Sequence, residues 1–370
     1  MELPACVLTS ISSTCCDIRR VQTTAMTNIA ELDLPELEAV LGDLGAKPYH
    51  ARQIYRWLYR RGITDFDHMT DLSVPLRQQL AAAAEIQGPT IAERLRSTDH
   101  TEKFLITMSD DRQVESVFIP DTPRQTLCIS TQVGCAVRCG FCLTGTMGLL
   151  RNLSAGEIVG QVRLLVHAIG LAGTRFNIVF MGMGEPLHNY DATMKALRML
   201  TTKSGFGMEP GWITLSTIGV PHALARLSQE PVIPNLAVSL HAATEELRAK
   251  LVPVNRKHTL AEVIEACRQF PVRRRRRITF EYTLLDGVND SVRDALALAR
   301  LLAGFESKAK VNVIPLNEAQ GIPYRRPSDD QVDRFARTLS SNGIAVSVRK
   351  SRGRDIRAAC GQLSALPVRP

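Results

Sequence analysis

Between Leu32 and Ala84 apolar residues return every three to four positions, as in LPELEAVLGDLG and HARQIYRWLYRRG, so the segment predicts helices with one apolar face each. Gly45 and Gly62 stand where those helices should stop. From Lys103 to Pro120 the period changes to two: FLITMSDDRQVESVFIP alternates and breaks at Asp110-Asp111, which predicts a β-hairpin. Beyond it six apolar runs recur, TLCIST, FNIVFMG, WITLSTIG, NLAVSLH, ITFEYTLL and KVNVIPLN, with helical stretches between them. That alternation predicts a parallel sheet covered by helices, an α/β architecture. Right-handed crossovers should curl six such units into a partial (β/α)6 barrel of the TIM-like kind, with chemistry at the carboxyl ends of the strands. The expected organisation is an N-terminal extension over 1–28, expected to be disordered, then a small all-helical domain over 29–100. A core over 101–363 follows, including the hairpin and a C-terminal segment, and a tail over 364–370 ends the chain.

Composition narrows the class. At 370 residues and 45% hydrophobic content the chain can bury a full domain core and a smaller second unit. No stretch of about 18 apolar residues runs without charge, so no membrane span is predicted. Met1 to Arg20 lacks a basic leading region and carries only a broken apolar run, so it does not read as a secretory signal, and Met26 is a second candidate start. Nine cysteines scattered over so long a chain, three of them clustered, fit a reducing cytoplasm better than a disulfide framework. The net charge of +8 favours a polyanionic partner. Arg52, Arg56, Arg60 and Arg61, interleaved with Tyr55, Trp57 and Tyr59, either meet a phosphate backbone with the rings inward as core or form an ordinary solvated face. The run Arg273 to Arg277 either grips phosphates or is simply solvated, and alternating strand faces would let only some of its five side chains point one way.

The sharpest chemical signal is Cys135-Ala-Val-Arg-Cys139-Gly-Phe-Cys142, three thiols in one short loop after the first strand run. A closed structural zinc site takes four ligands, and the next candidate along the chain is the distant His167. A 4Fe-4S cubane held by three thiolates instead leaves one iron open to a small molecule. Ser154 with Glu157 forms a capping box that opens the next helix. The second strand run ends in Gly182-Met183-Gly184-Glu185-Pro186, where glycines allow close backbone approach and Glu185 offers an acceptor for an ammonium group. Ser216, then Ser239-Leu240-His241, then Asn317 end further runs and outline a ligand's rim. Cys128 lies seven residues before the loop and Cys360 near the far terminus; taken separately, each reads as a buried core thiol.

The cysteine spacing, with an aromatic before the last Cys, resembles the radical SAM superfamily. That resemblance implies that the open iron chelates S-adenosylmethionine (SAM) and that an electron from the cluster splits it into methionine and a 5′-deoxyadenosyl radical. GMGEP resembles the superfamily's Gly-Gly-Glu-Pro element, which holds the methionine amino group. Taken in order, VESVFIP, TLC, CAVRCGFC, GMGEP, SLHAA, PLN and RAACGQL resemble the RlmN family of dual-specificity RNA methyltransferases, over roughly Leu32 to Leu363 and with the helical domain included.

This resemblance implies a cluster on Cys135, Cys139 and Cys142, a SAM rim of Gly184, Glu185, Ser216, Ser239, Leu240, His241 and Asn317, and an accessory RNA-binding role for 29–100. It implies two SAM molecules per turnover. Cys360 takes a methyl group from the first, and the radical from the second removes a hydrogen atom from that S-methyl group. The methylene radical then adds to carbon 2 of adenine, which is too electron-poor to attack a sulfonium methyl itself. Glu115 matches the proposed base; at an ordinary pKa of about 4.3 it would be ionised but weak unless buried. Cys128 would attack the sulfur of Cys360, releasing the RNA through a transient disulfide. The implied substrates are an adenosine of large-subunit ribosomal RNA near the peptidyl transferase centre and the tRNA adenosine 3′ of the anticodon. Extruding such a base costs a few kcal/mol, by analogy with base flipping. The implied electron donor is of the flavodoxin or ferredoxin kind, and a monomer is expected. Related Cfr-type enzymes, which methylate carbon 8, share the two extra cysteines; the Glu115 context and the helical region favour carbon 2. A zinc-dependent RNA-binding protein without catalysis is the alternative from another class.

Overall fold

The computed structural model describes residues 26–120, 125–253 and 257–365. The 1–28 extension therefore falls outside it up to residue 25, as do the last residues of the expected tail. The predicted helices form over Leu34–Asp43, Pro48–Tyr55 and Val74–Ala83. Asp33 caps the first: its carboxylate accepts from the Glu36 amide at 3.2 Å while Glu36 reaches back to the Asp33 amide at 2.9 Å. The second continues through a five-residue π turn, Arg56–Arg60, and both Gly45 and Gly62 adopt the positive φ that ends a helix. Tyr55, Trp57 and Tyr59 face inward as core. The arginines between them are partly consumed: Arg60 donates to the Gly205 and Lys203 carbonyls, Arg52 pairs with Glu38 at 3.4 Å, and Arg61 lies over the Trp57 ring at 4.0 Å.

Two boundaries differ from expectation. Thr27–Asn28 (β1) pairs in parallel with Ala84–Glu85 (β2), so the helical unit starts inside the expected extension and carries a small clasp of strand. Thr90–Arg96 (β3), expected within the helical domain, is the edge of the large sheet. Its alternation is masked by charges because most of its side chains are exposed.

That sheet has ten strands. The hairpin strands Glu102–Thr107 (β4) and Gln113–Ile119 (β5) lead to Gln125–Cys128 (β6), all antiparallel. Gln132–Gly134 (β7) and Leu149–Asn152 (β8) form a separate two-stranded flap around the cysteine loop. Phe176–Phe180 (β9), Ile213–Thr217 (β10), Asn235–Ser239 (β11), Ile278–Leu284 (β12), Ala309–Pro315 (β13) and Ala345–Val348 (β14) continue the large sheet from β6, every neighbour parallel. The order β14-β13-β12-β11-β10-β9-β6-β5-β4-β3 keeps the six predicted runs in sequence order and shows no pairing of its two edges, as a partial barrel requires. The seventh parallel strand, β14, is short and half-exposed, and so gave no apolar run to read.

Helices return the chain between strands, and Ala155–Ala168 shows why the two units dock. Ser154 Oγ accepts from the Glu157 amide at 3.1 Å and Glu157 from the Ser154 amide at 2.9 Å, completing the predicted box. On its outer face a Cβ at Gly156 would lie 2.7 Å from the Ala30 carbonyl oxygen, and one at Gly160 would lie 2.6 Å from Pro89. Glycine lets the helical unit seat directly on the barrel. Among the described residues no helix is long and apolar enough to cross a membrane.

Candidate active site

The carboxyl ends of the parallel strands surround a cleft of about 160 Å3. Cys135, Cys139 and Cys142 form one wall. Their loop is folded back on itself: the Cys142 amide donates to the Cys139 carbonyl at 3.2 Å, and the Cys135 amide to Gly148 at 2.8 Å. Gly134, at φ +80°, permits that approach, since a Cβ there would sit 1.9 Å from the Gly148 oxygen. Burial pushes the Cys135 thiol up to about 12 and drives Cys139 and Cys142 in the same direction. Three thiols that burial keeps from ionising alone are suited to binding metal, which removes their protons outright.

The predicted rim shares this cleft. Gly184, Glu185, Ser216, Ser239, His241 and Asn317 all line the cleft. Glu185 accepts from the Leu187 amide at 3.0 Å and the Ile218 amide at 2.9 Å, which fixes the carboxylate, while burial lifts it to about 7. His241, at φ +62°, accepts from the Thr283 amide through Nδ1 at 3.1 Å, and burial lowers it to about 3. It is therefore a neutral imidazole whose remaining N–H is Nε2. Asn317 donates to the Cys360 carbonyl at 3.3 Å and leaves Oδ1 buried without a partner, an acceptor held for a ligand. Leu240 does not line the cleft; it is fully buried, and its amide donates to the Glu281 carbonyl at 3.0 Å.

Cys360 arrives from the far end of the chain because its segment is tied to the cysteine loop. The Leu143 amide donates to the Gly361 carbonyl at 2.8 Å, and Thr144 Oγ1 to Leu363 at 2.6 Å. Cys360 lines the cleft and also a small adjoining pocket that contains Cys128, with Arg349 on the wall of both. Burial, and then the Cys360 sulfur, push the Cys128 thiol up to about 12. Cys360 first, with Glu281 and Cys128 adding, holds Arg349 in its charged form. Both cysteines are free thiols.

Glu115 is not among the residues that line the cleft. Its carboxylate meets Lys103 Nζ at 2.8 Å in a buried ion pair and accepts from the Ser364 amide at 2.8 Å, beneath the segment that carries Cys360. His167, the distant candidate for a fourth zinc ligand, packs against Gly62 on the helical unit. Among the described residues no three His, Cys, Asp or Glu side chains converge as a single-ion site. The donor set fits a polynuclear cluster: three thiols from one loop line the cleft together with the Asn317 acceptor. Sequence reading missed Glu281 and Arg349. The signal for Glu281 was present, a carboxylate inside the apolar run ITFEYTLL, whereas Arg349 follows the strand that could not be read.

Comparison with known proteins agrees with this geometry. The profile of the Ribosomal RNA large subunit methyltransferase N-terminal domain matches residues 27–86, and that of the Radical SAM superfamily matches residues 129–299. The dual-specificity RNA methyltransferase RlmN of Geobacter sulfurreducens is 48% identical over 338 residues, 91% of this chain and 92% of that protein. The one from Syntrophobacter fumaroxidans is 45% identical over 91% of this chain and 98% of its own length. The chain belongs to the RlmN family. A crystal structure of a radical SAM methyltransferase from Sphaerobacter thermophilus superposes with a TM-score of 0.87 at 45% identity, covering 92% of this chain and all of that one. The protein is thus a SAM-dependent RNA methyltransferase, and its superfamily carries a 4Fe-4S cluster and SAM.

Proposed function

We propose that this RlmN-family enzyme methylates carbon 2 of adenosine in large-subunit ribosomal RNA, near the peptidyl transferase centre, and in tRNA, just 3′ of the anticodon. The carrying observation is the double position of Cys360, on the wall of the cleft and of the pocket that holds Cys128. In this reading Cys135, Cys139 and Cys142 hold the cluster. The SAM rim is Gly184, Glu185, Ser216, Ser239, His241 and Asn317, with Leu240 contributing through the backbone it anchors. When bound, the reduced cluster and SAM supply a 5′-deoxyadenosyl radical.

The protein's own steps are these. The Cys360 thiol loses its proton and takes a methyl group from a first SAM, releasing S-adenosylhomocysteine; Arg349 lines the same cleft and the same adjoining pocket. After a hydrogen atom is removed from that methyl group, the carbon joins C2 and Cys360 is bridged to RNA. One electron, for which the bound cluster would be the acceptor, and the C2 proton then leave. The proton is assigned to Glu115, whose ion pair with Lys103 must open first so that the carboxylate is free to reach it. Cys128 attacks the Cys360 sulfur, the carbon–sulfur bond breaks, and its electron pair takes a proton to complete the new methyl group. The disulfide left behind needs two electrons before the next turnover, which suits a reducing cytoplasm. A flavodoxin or ferredoxin is the proposed donor to the cluster, and the enzyme acts as a monomer.

The direct test is Cys360→Ala. This variant should keep its cluster absorbance but carry no methyl group, while peptide mass spectrometry of the wild type finds one added methyl on Cys360. Nucleoside analysis of treated RNA should yield 2-methyladenosine; 8-methyladenosine would assign the Cfr-type reaction instead, and full methylation without Cys360 would reject the two-SAM route. Glu185→Gln tests the rim. Removing the charge that meets the SAM ammonium should weaken SAM binding about 10- to 100-fold by titration calorimetry, as charged hydrogen bonds of about 1.5 to 3 kcal/mol imply. Unchanged affinity would remove Glu185 from the site.

A further inference from the structure

The Arg273–Arg277 run does not sit where the RNA-processing cleft would use it. It precedes β12, so it lies at the amino ends of the parallel strands, while the cleft lies at their carboxyl ends. Along the seven residues of β12 that is a separation of about 20 Å at about 3.3 Å per residue. Nor does the run behave as a strand. The Arg276 amide donates to the Arg273 carbonyl at 2.9 Å, closing a turn with Arg275 at φ +64°, a conformation uncommon for a residue with a side chain. All five arginines are exposed. The turn fans them around a pocket of about 690 Å3, which Lys308 and Lys310 complete from the neighbouring chain entry to β13. Among the described residues no acidic side chain lines it; the other polar walls are threonine, serine and asparagine. Arg277 is positioned by donating to the Ser307 carbonyl at 2.9 Å, and Arg276 packs over Gly211. Seven cations in one concavity compare with a net charge of +8 for the whole chain, so the basic excess is local.

We infer that this pocket is a second RNA site, which grips the phosphate backbone of the substrate on the face of the barrel opposite the cleft. The inference rests on the RNA substrate proposed above and extends it: the enzyme selects folded RNA large enough to wrap from the cleft to the far end of the barrel. Guanidinium groups match phosphate oxygens two at a time, and hydroxyl and amide walls suit the sugar-phosphate chain.

The test compares wild type with the combined Arg273→Gln, Arg274→Gln, Arg275→Gln variant of the full chain, cluster intact, and with Lys308→Gln alone. Binding of a full-length tRNA transcript and of its short anticodon stem-loop is measured as a function of salt. For the full transcript the triple variant should bind at least about tenfold more weakly, and its log-affinity against log-salt slope should flatten by about 2 to 3, near 0.7 to 0.9 per lost phosphate contact. Lys308→Gln should flatten it by up to about 1. The stem-loop, too short to reach both faces, should bind every variant alike, which also shows that the variants are folded. Equal affinity and slope for the full transcript would overturn the inference. So would normal RNA binding with slowed cluster reduction by flavodoxin, which would give the pocket to an acidic protein. Wild type that binds the transcript but leaves its adenosine unmethylated would instead refute the proposed reaction, with the binding site standing.

Discussion

Alanine at Cys135, Cys139 or Cys142 is expected to give a folded protein without visible iron-sulfur absorbance and without methyl transfer, a loss of at least about a thousandfold. The size of the effect follows from the ligand count. The loop itself offers three thiols to the cleft, so each substitution removes a third of its hold on the cluster. Folding should survive, because the loop is fixed by backbone hydrogen bonds that alanine keeps, Cys135 to Gly148, Cys142 to Cys139 and Gly140 to Leu251. Iron and sulfide analysis after anaerobic reconstitution, with absorbance and circular dichroism on the same sample, separates a lost cluster from a lost fold. A variant that retained both iron and activity would mean that the loop is not the ligand set.

How much of this site could be read from sequence depended on whether a residue's position is fixed locally or by distant chain. Cys135, Cys139 and Cys142 lie within one loop, so their meeting was legible from spacing alone. Glu185, Ser216, Ser239 and Asn317 were legible one step further on, because parallel strands deliver their carboxyl ends to one face. Cys360 is brought to the cleft by distant ties, among them the bonds that Leu143 and Thr144 donate to Gly361 and Leu363, more than two hundred residues later. No local pattern announces such a tie; family resemblance alone pointed to it. The same limit explains the arginine run. Its charge was visible, but strand direction decides which face it occupies, and the turn at Arg275 breaks the alternation that strand reading assumes. Glu115 shows the converse: burial was foreseen as a condition for its role, but not the buried partner, Lys103, that occupies its carboxylate.

The Cys128→Ala variant should stall with RNA attached. If Cys128 merely filled core space, the change would cost about 1 to 3 kcal/mol of stability and leave turnover intact. Its setting predicts more: the thiol is buried, yet it shares a pocket with Cys360 and with the Arg349 guanidinium, whose charge opposes the burial that raises the thiol's pKa. Cluster assembly and methylation of Cys360 do not need Cys128 and should proceed. Addition to the base should also proceed, leaving the methylene bridge between Cys360 and RNA with no thiolate to open it. A slow band on a denaturing gel, sensitive to ribonuclease except for the last nucleotide, and a matching mass on the Cys360 peptide would report the trapped adduct. Replacing both cysteines should abolish the band, because Cys360 supplies the bridging sulfur. Normal turnover by the single variant, with no RNA retained, would show that Cys128 is a core thiol and that Cys360 releases its product by another route.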